Sequence, residues 1–230
     1  WEGALYGLFL LIAALLRLWD LDGRPLHFDE SMHAKTAWDL SRGGDYVHQP
    51  VIHGPFQFYG TALLYLLFGA SDSTARFLPV LFGTALVGLP YLLRRFLGRE
   101  GSLAAAALIA FSPSLLYLSR FARNDTYIMV WTLLLVIFLW RYLEGGRALY
   151  LYLSAAILSL SFATKEVTYV TVAILGSFLL LVTFGELLGR LLKGLKFSPL
   201  SRPASYLLLL GTLTLPLLGE ALSRPSQSGL

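Results

Sequence analysis

The sequence of 230 residues contains no cysteine and few charged side chains. The missing cysteines exclude disulfide bridges and thiolate metal sites within these residues. Asp, Glu, Lys and Arg together make up 14% of the chain, whereas a soluble domain usually carries about 25%. Hydrophobic residues account for 56%. This balance excludes an ordinary soluble domain and indicates an integral membrane protein, so the formal net charge of +4 does not predict nucleic-acid binding.

Apolar segments follow one another along most of the chain. They occupy residues 3–19, 56–70, 75–97, 102–118, 126–143, 148–164, 167–189 and 205–222. A helix needs roughly 20 residues to cross a bilayer. The segment at 56–70 is the shortest and follows Gly54-Pro55. The pattern predicts an all-α, polytopic bundle of transmembrane helices.

The basic residues between these segments predict how the chain crosses the membrane. Lys and Arg cluster in three short loops, at residues 94–99, 141–147 and 190–202. The positive-inside rule places such loops in the cytoplasm. All three loops are cytoplasmic only if residues 56–70 lie in the membrane interface and do not cross the bilayer. We therefore expect seven spans, a cytoplasmic N-terminus and a multi-pass protein of the plasma membrane.

The predicted outer face begins with a long loop at residues 20–75. Loops of this length are usually functional or disordered. Residues 30–42 predict a short helix with Met32, Ala37, Trp38 and Leu40 available to lie on the membrane. The loop also contains every histidine of the chain, namely His27, His33, His48 and His53. We treat residues 1–230 as one transmembrane domain and expect it to be part of a larger protein, because it begins with Trp1 and ends in a polar segment.

Two adjacent carboxylates, Asp29 and Glu30, follow the first apolar segment. Charged groups at a membrane edge are costly, which makes them functional candidates. Asp29 is a candidate general base or metal ligand. It also suits the N-cap of the following helix, with Glu30 in the first turn. His48 and His53 are candidate metal or anion ligands, or ordinary loop histidines bonded to the backbone.

Two further elements of the predicted outer face combine acids with cations. Arg123 and Asp125 precede an apolar segment, where Asp125 also suits a helix N-terminus. Lys165 and Glu166 join two apolar segments. Guanidinium groups bind phosphate well, although a lysine at this position can instead simply extend towards water. Arg76 is a further cation able to reach this face. The combination predicts a site for a phosphate-bearing substrate, such as a lipid phosphate, beside an activating carboxylate.

These residues lie in short motifs that occur together in a known superfamily. The motifs are Phe28-Asp29-Glu30, His53-Gly54-Pro55-Phe56, Phe68-Gly69, Arg76-Phe77-Leu78-Pro79, Phe82-Gly83, Ser112-Pro113, Arg123-Asn124-Asp125 and Thr164-Lys165-Glu166. In this set the chain resembles the GT-C superfamily of polyprenyl-phosphate-dependent glycosyltransferases. It is most similar to the protein O-mannosyltransferase and aminoarabinose-transferase branch, and within it to the flippase-associated glycosyltransferases. Each motif is short, but their order over residues 3–170 is more specific. Glu166 departs from the pattern, since many relatives have Gly there.

The resemblance implies transfer of a sugar from a polyprenyl-phosphate donor to an acceptor on the outer face. It implies that Asp29, supported by Glu30, is the catalytic base or orients the acceptor. Asp125 would be the second catalytic carboxylate. The cations implied to hold the donor phosphate are Arg76, Arg123 and Lys165.

Cofactors and partners follow from the same reading. Asp29 and Asp125 are candidate ligands of a divalent cation, Mg²⁺ or Mn²⁺. His53 and Glu166 are candidates for contacting the acceptor or a metal. No nucleotide cofactor is expected, because the donor arrives in the membrane. The expected partners are the polyprenyl-phosphate-linked sugar, membrane lipids and further membrane subunits, and not nucleic acid.

Two other functions are also compatible with the sequence. One is a non-catalytic subunit that keeps the fold within a larger membrane complex. The other is a lipid flippase or transporter, which needs a polar path through the bilayer. The predicted spans are nearly free of interior charge, which favours chemistry at the membrane surface over transport.

Overall fold

The computed structural model describes residues 1–47, 53–193 and 200–223. His48 lies outside the described residues, so its role stays a prediction. All regular structure in the described part of the chain is helical, which confirms the predicted all-α class. The chain divides into two compact units. The first is Trp1–Ile137 with Ser159–Glu166, and the second is Phe138–Leu158 with Val167–Leu230.

The described residues form ten α-helices. They are α1 (Glu2–Leu18), α2 (Phe28–Ser41), α3 (Phe56–Phe68), α4 (Asp72–Gly88), α5 (Arg94–Phe111), α6 (Pro113–Ser119), α7 (Asp125–Gly145), α8 (Ala148–Phe162), α9 (Thr168–Leu192) and α10 (Arg202–Ser223). A short 3₁₀ helix, Leu89–Leu93, joins α4 to α5.

Three helical stretches among the described residues are long and apolar enough to cross a membrane. They are Asp72–Phe111, Asp125–Gly145 and Thr168–Leu192. The helix α3, at 13 residues, is shorter than the roughly 20 residues that a span needs. The helix α8, which the sequence predicted to cross, is also shorter, at 15 residues. The protein is a membrane protein. The count of seven spans stays a prediction.

In the first unit, α1, α4 and α5 pack against one another. Their shared core consists of Tyr6, Ala13, Val87, Ala106 and Ala110. Inside α5, Gly98 has φ 71° and ψ 172°, a conformation that interrupts the helix and that glycine adopts at little cost. The interruption falls between the two apolar segments predicted at 75–97 and 102–118.

The segment at 102–118 is not one helix as predicted. The helix α5 ends at Phe111, and Pro113 begins α6. Pro113 lacks a backbone N–H and forces the preceding Ser112 into an extended conformation, with ψ 120°. The Ser112 side chain then caps α6 by accepting a hydrogen bond from the Leu115 N–H at 3.4 Å.

The helices α2 and α3 lie within the predicted outer loop. α2 starts two residues before the helix that the sequence predicted, and it packs on α3 through small residues, among them Ala34, Ala37 and Ala62. The expectation that Ala37 lies on the membrane is therefore wrong, and Leu40 is only partly buried. Ala37 is completely buried, and Leu40 packs against the same core. Trp38 remains 42% exposed.

A buried ion pair fastens α2 to α4. Arg76 donates from Nε to Glu30 Oε1 at 2.8 Å and from Nη2 to Glu30 Oε2 at 2.9 Å. Its other N–H groups donate to the backbone carbonyls of Leu21, Arg24 and Pro25. All five donors of the guanidinium group are thus used. Both side chains are buried.

Glu30 also holds two backbone groups. Its carboxylate accepts the His27 N–H at 3.0 Å and the Ala122 N–H at 3.1 Å. Burial alone would raise the pKa of Glu30, but the hydrogen bonds from Arg76, His27 and Ala122 outweigh it, and the pKa lies below its ordinary value. Glu30 is therefore ionised at neutral pH and joins α2, α4 and the loop before α7.

We expect Arg76→Met to destabilise the protein by about 3–5 kcal/mol, because it leaves the Glu30 carboxylate buried without its partner. A thermal unfolding scan of the purified protein in detergent measures this as a large fall in Tm. The matched control is Arg24→Met. Arg24 lies 3.3 Å from the same carboxylate, but its side chain is 44% exposed, so its contribution is about 1 kcal/mol or less. Equal effects of the two substitutions would contradict the assignment.

Candidate functional site

Four residues singled out in the sequence form a line of ion pairs, here called the charge cluster: Asp29, Arg123, Asp125 and Lys165. Arg123 Nη1 lies 3.2 Å from Asp29 Oδ2, and Arg123 Nε lies 3.7 Å from Asp125 Oδ2. Lys165 Nζ lies 2.7 Å from Asp125 Oδ1. Their side chains are 20–38% exposed. The cluster is thus accessible to a ligand and partly shielded from water.

Three separate parts of the first unit supply the cluster. Asp29 lies in the first turn of α2, and Asp125 in the first turn of α7. Lys165 lies in the turn between α8 and α9. That turn is fastened to α7, because Trp131 Nε1 donates a hydrogen bond to Thr164 Oγ1 at 3.1 Å. The fold therefore joins residues that are more than a hundred positions apart in the chain.

Asp29 is not the N-cap of α2, contrary to the alternative considered from the sequence. The helix begins at Phe28, and His27 is the N-cap residue. His27 Nδ1 accepts the Asp29 N–H at 3.3 Å, while Glu30 accepts the His27 N–H. This reciprocal capping box leaves the Asp29 carboxylate free of a capping role and paired with Arg123.

The structure places Glu30 and Arg76 away from the open charge cluster, in the buried ion pair. Arg76 has no N–H left to donate to a phosphate. We therefore replace the predicted catalytic role of Glu30 and the predicted phosphate-binding role of Arg76 with positioning roles. Glu30 is adjacent to Asp29 in the chain, and it binds Ala122 next to Arg123. It thereby fixes both sides of the Asp29–Arg123 ion pair.

His53 and Glu166 form a separate pair. His53 Nδ1 lies 2.8 Å from Glu166 Oε2. The backbone of His53 has φ 64°, in the left-handed region. The next residue, Gly54, donates its N–H to the Thr164 carbonyl at 3.2 Å. A Cβ atom at Gly54 would overlap the Ala163 carbonyl oxygen, so glycine is required for this close approach. The motif holds the loop before α3 against the turn that precedes α9.

Comparison with known proteins identifies the family. A family model described as dolichyl-phosphate-mannose-protein mannosyltransferase matches residues 52–194, which is more than half of the chain. The chain belongs to this mannosyltransferase family. Its structure is similar to the crystal structure of ArnT from Cupriavidus metallidurans bound to undecaprenyl phosphate, with a TM-score of 0.64. No curated protein matches the chain.

The similarity to ArnT covers 95% of this chain and 42% of ArnT, with 21% sequence identity. The chain of the mannosyltransferase family thus spans less than half the length of ArnT, and the likeness shows the fold. The predicted GT-C relationship is confirmed. The region matched by the family model contains Arg123, Asp125 and Lys165 but begins after Asp29.

The geometry of this mannosyltransferase-family site does not fit a divalent cation well. The described residues contain no group of three or more His, Asp or Glu side chains that could hold a metal. Asp29 and Asp125 both contact the guanidinium group of Arg123, which would repel a cation between them. Mg²⁺ needs near-octahedral oxygen ligands. The metal therefore stays an untested prediction, and Arg123 and Lys165 are the positive charges present at the site.

His33 is a further residue of the site region that the sequence reasoning did not single out. It follows Asp29 by four positions on α2, a spacing that places two side chains on one helix face. His33 is 5% exposed, and its ring stacks on Phe58 with 5.4 Å between the ring centroids. Its Nδ1 atom is buried without a hydrogen-bond partner among the described residues. The helical spacing from Asp29 is the signal that could have found it.

The surroundings of His33 keep its imidazole neutral. Burial lowers the pKa of His33 to about 4, and the positive charges of His53 and Arg123 contribute in the same direction. Asp29 and Asp125 oppose the shift. Asp29, Arg123 and Asp125 belong to the charge cluster, so the charges of the cluster act on the His33 imidazole.

We expect His33 to remain neutral until the pH approaches 4, whereas an ordinary histidine titrates near about 6.5. Because the pKa is lower in the folded state, protonation opposes folding. The contribution to stability is complete above about pH 6.5 and is lost as the pH falls towards 4. Nitrogen-15 NMR of histidine-labelled protein measures the titration, with His33→Gln assigning the signal. A midpoint above pH 6 would contradict the buried position.

Proposed function

We propose that this protein transfers a sugar from a polyprenyl-phosphate donor to a hydroxyl-bearing acceptor at the membrane surface. The observation that carries the proposal is the charge cluster, in which Arg123 and Lys165 are both held by Asp125. Two cations that contact one carboxylate can also contact one phosphate group, because the carboxylate and the phosphate are oxyanions of similar size. Membership of the mannosyltransferase family supports sugar transfer as the reaction.

Arg123 and Lys165 suit the donor phosphate. Their side chains are 38% and 20% exposed, and charge-assisted hydrogen bonds from such groups to phosphate are strong. Arg123 pairs with Asp29 in the absence of a donor. A phosphate that engages Arg123 would take over this pairing and release the Asp29 carboxylate. Donor binding would in this way prepare the base.

The reaction then follows from the roles of the four residues. Asp29 takes the proton of the acceptor hydroxyl, whose oxygen bonds to the anomeric carbon of the sugar. The bond between that carbon and the phosphate oxygen breaks, and its electron pair stays on the lipid phosphate. Arg123 and Lys165 stabilise the charge that develops on this leaving group. Asp125 keeps the two cations in position.

We further propose that the cluster faces the outside of the plasma membrane. The distribution of Lys and Arg in the short loops supports this orientation. The donor lipid would then reach the cluster from the outer leaflet, and the acceptor would reach it from the aqueous side.

We expect Asp29→Asn to lower the transfer rate by roughly 100-fold or more, because the amide cannot accept the proton. The measurement is transfer from labelled polyprenyl-phosphate sugars by the purified full-length protein. Asp125→Asn is expected to slow transfer as well, through misplaced cations. Asp39→Asn is the matched control, since Asp39 lies on the same helix, is exposed and pairs only with Lys35 among the ion pairs of the described residues.

Three results would each contradict the proposal. Transfer that is unaffected by Asp29→Asn and Asp125→Asn would remove the site assignment. Absence of transfer from every donor, with purification in a stable assembly, would favour a non-catalytic subunit. Movement of the lipid across sealed vesicles without any transfer would favour a flippase.

We expect Lys35→Cys to react with a membrane-impermeant maleimide added to intact cells. These 230 residues contain no cysteine, so the introduced thiol is the only one among them, and the Lys35 side chain is 73% exposed on α2. Arg147→Cys, in a loop predicted to be cytoplasmic, should react only after the cells are opened. The reverse pattern would place the cluster on the cytoplasmic side.

A further inference from the structure

Several polar atoms near the charge cluster are buried and have no hydrogen-bond partner among the described residues. They are His33 Nδ1, Gln57 Oε1 and both amide atoms of Asn124. The three residues are 5%, 1% and 1% exposed. Burying a polar atom without a partner is unfavourable, and such atoms usually receive a water molecule or a ligand. We call these three residues the inner polar group.

A hydrogen bond from Gln57 joins α3 to the loop that carries Asn124. Gln57 Nε2 donates a hydrogen bond to the Ala122 carbonyl at 2.7 Å, two residues before Asn124. Asn124 itself stands between Arg123 and Asp125 in the chain. Gln57 therefore brings α3 to the loop that carries part of the charge cluster.

His33 contacts α3 from α2. Its ring stacks on Phe58, the neighbour of Gln57 in α3. The charges that act on it are those of Asp29 on its own helix and of His53, Arg123 and Asp125 from the other elements. The inner polar group thus comes from α2, α3 and the loop before α7. It is more deeply buried than the charge cluster, whose side chains are 20–38% exposed.

The inner polar group and the charge cluster differ in chemistry. The cluster carries full charges, whereas His33 is neutral at physiological pH because burial holds its pKa at about 4. A neutral imidazole offers one donor and one acceptor, and each amide offers both kinds. This combination matches hydroxyl groups, which also donate and accept. It does not match a phosphate, which needs donors and positive charge.

We propose that the inner polar group binds hydroxyl groups of the donor sugar, with His33 as a direct contact, while Arg123 and Lys165 hold the phosphate. The inference rests on the proposed function and deepens it, because it assigns the recognition of the sugar to neutral residues. In this proposal, neutral residues bind the sugar of a glycosylated lipid phosphate, and charged residues bind its phosphate.

The test compares lipids with and without a sugar, and it does not depend on turnover. Binding of bare polyprenyl phosphate to the full-length protein in nanodiscs is measured beside polyprenyl phosphates that carry mannose, glucose or aminoarabinose. In the wild type, at least one glycosylated lipid should bind more tightly than the bare lipid. His33→Phe keeps the ring on Phe58 but removes both nitrogens. It should weaken that lipid by roughly 3- to 10-fold, the range of one hydrogen bond, and leave the bare lipid unchanged.

Further variants separate recognition of the sugar from recognition of the phosphate. Asn124→Ala tests the inner polar group from a second element and should show the same selective loss if His33→Phe does not fold. Arg123→Gln should weaken bare and glycosylated lipids by the same factor. Lys35→Gln, exposed on the same helix as His33, should change neither. A thermal scan of each variant reports its folding.

Equal affinity of the wild type for bare and glycosylated lipids would overturn the inference. So would His33→Phe and Asn124→Ala variants that keep the full preference for the sugar, which would leave His33 a merely structural role. Failure of every lipid phosphate to bind, the bare one included, would instead remove the proposed function and the inference with it. The bare lipid therefore distinguishes the two failures.

Discussion

The buried ion pair between Glu30 and Arg76 is the contact on which the candidate site depends. Arg76 uses all its donors on Glu30 and on backbone carbonyls of the segment between α1 and α2. Glu30 in turn holds the Ala122 N–H. Asp29 and Arg123 are the chain neighbours of Glu30 and Ala122. The buried Glu30–Arg76 ion pair therefore helps to set the distance between the partly exposed side chains of Asp29 and Arg123.

Burial gives side chains of the same type different roles in this structure. Glu30 and Asp29 are consecutive carboxylates, yet Glu30 is fully buried while the Asp29 side chain is 34% exposed. Arg76 and Arg123 differ in the same way. A buried pair with every donor satisfied cannot exchange its partner without a large cost in free energy. A half-exposed pair can give up its partner to an incoming phosphate, which makes the open cluster suitable for a donor that binds and leaves.

Much of the fold could be predicted from local sequence, because apolar segments and helix signals act over a few residues. The helix at 30–42 and the short α3 were predicted within two residues at each end. The predictions of the α2 N-cap and of a continuous helix at 102–118 were wrong because a nearby residue determined the local structure. His27 caps α2 in place of Asp29, and Pro113 divides a segment that hydropathy alone reads as continuous. Ala37 seemed available to the membrane, but small residues also permit the close packing of α2 on α3.

The sequence by itself determined the all-α membrane class, the family motifs and the set of charged residues from which the site is built, because composition and short motifs carry that information. Only the tertiary structure decided which of those charges are open to a ligand. Glu30 and Arg76 are 46 positions apart, and Lys165 and Asp125 are 40 apart. Burial and hydrogen-bond partners depend on such distant contacts, so they also decided that Arg76 is fully engaged and that His33 is neutral and without a partner among the described residues.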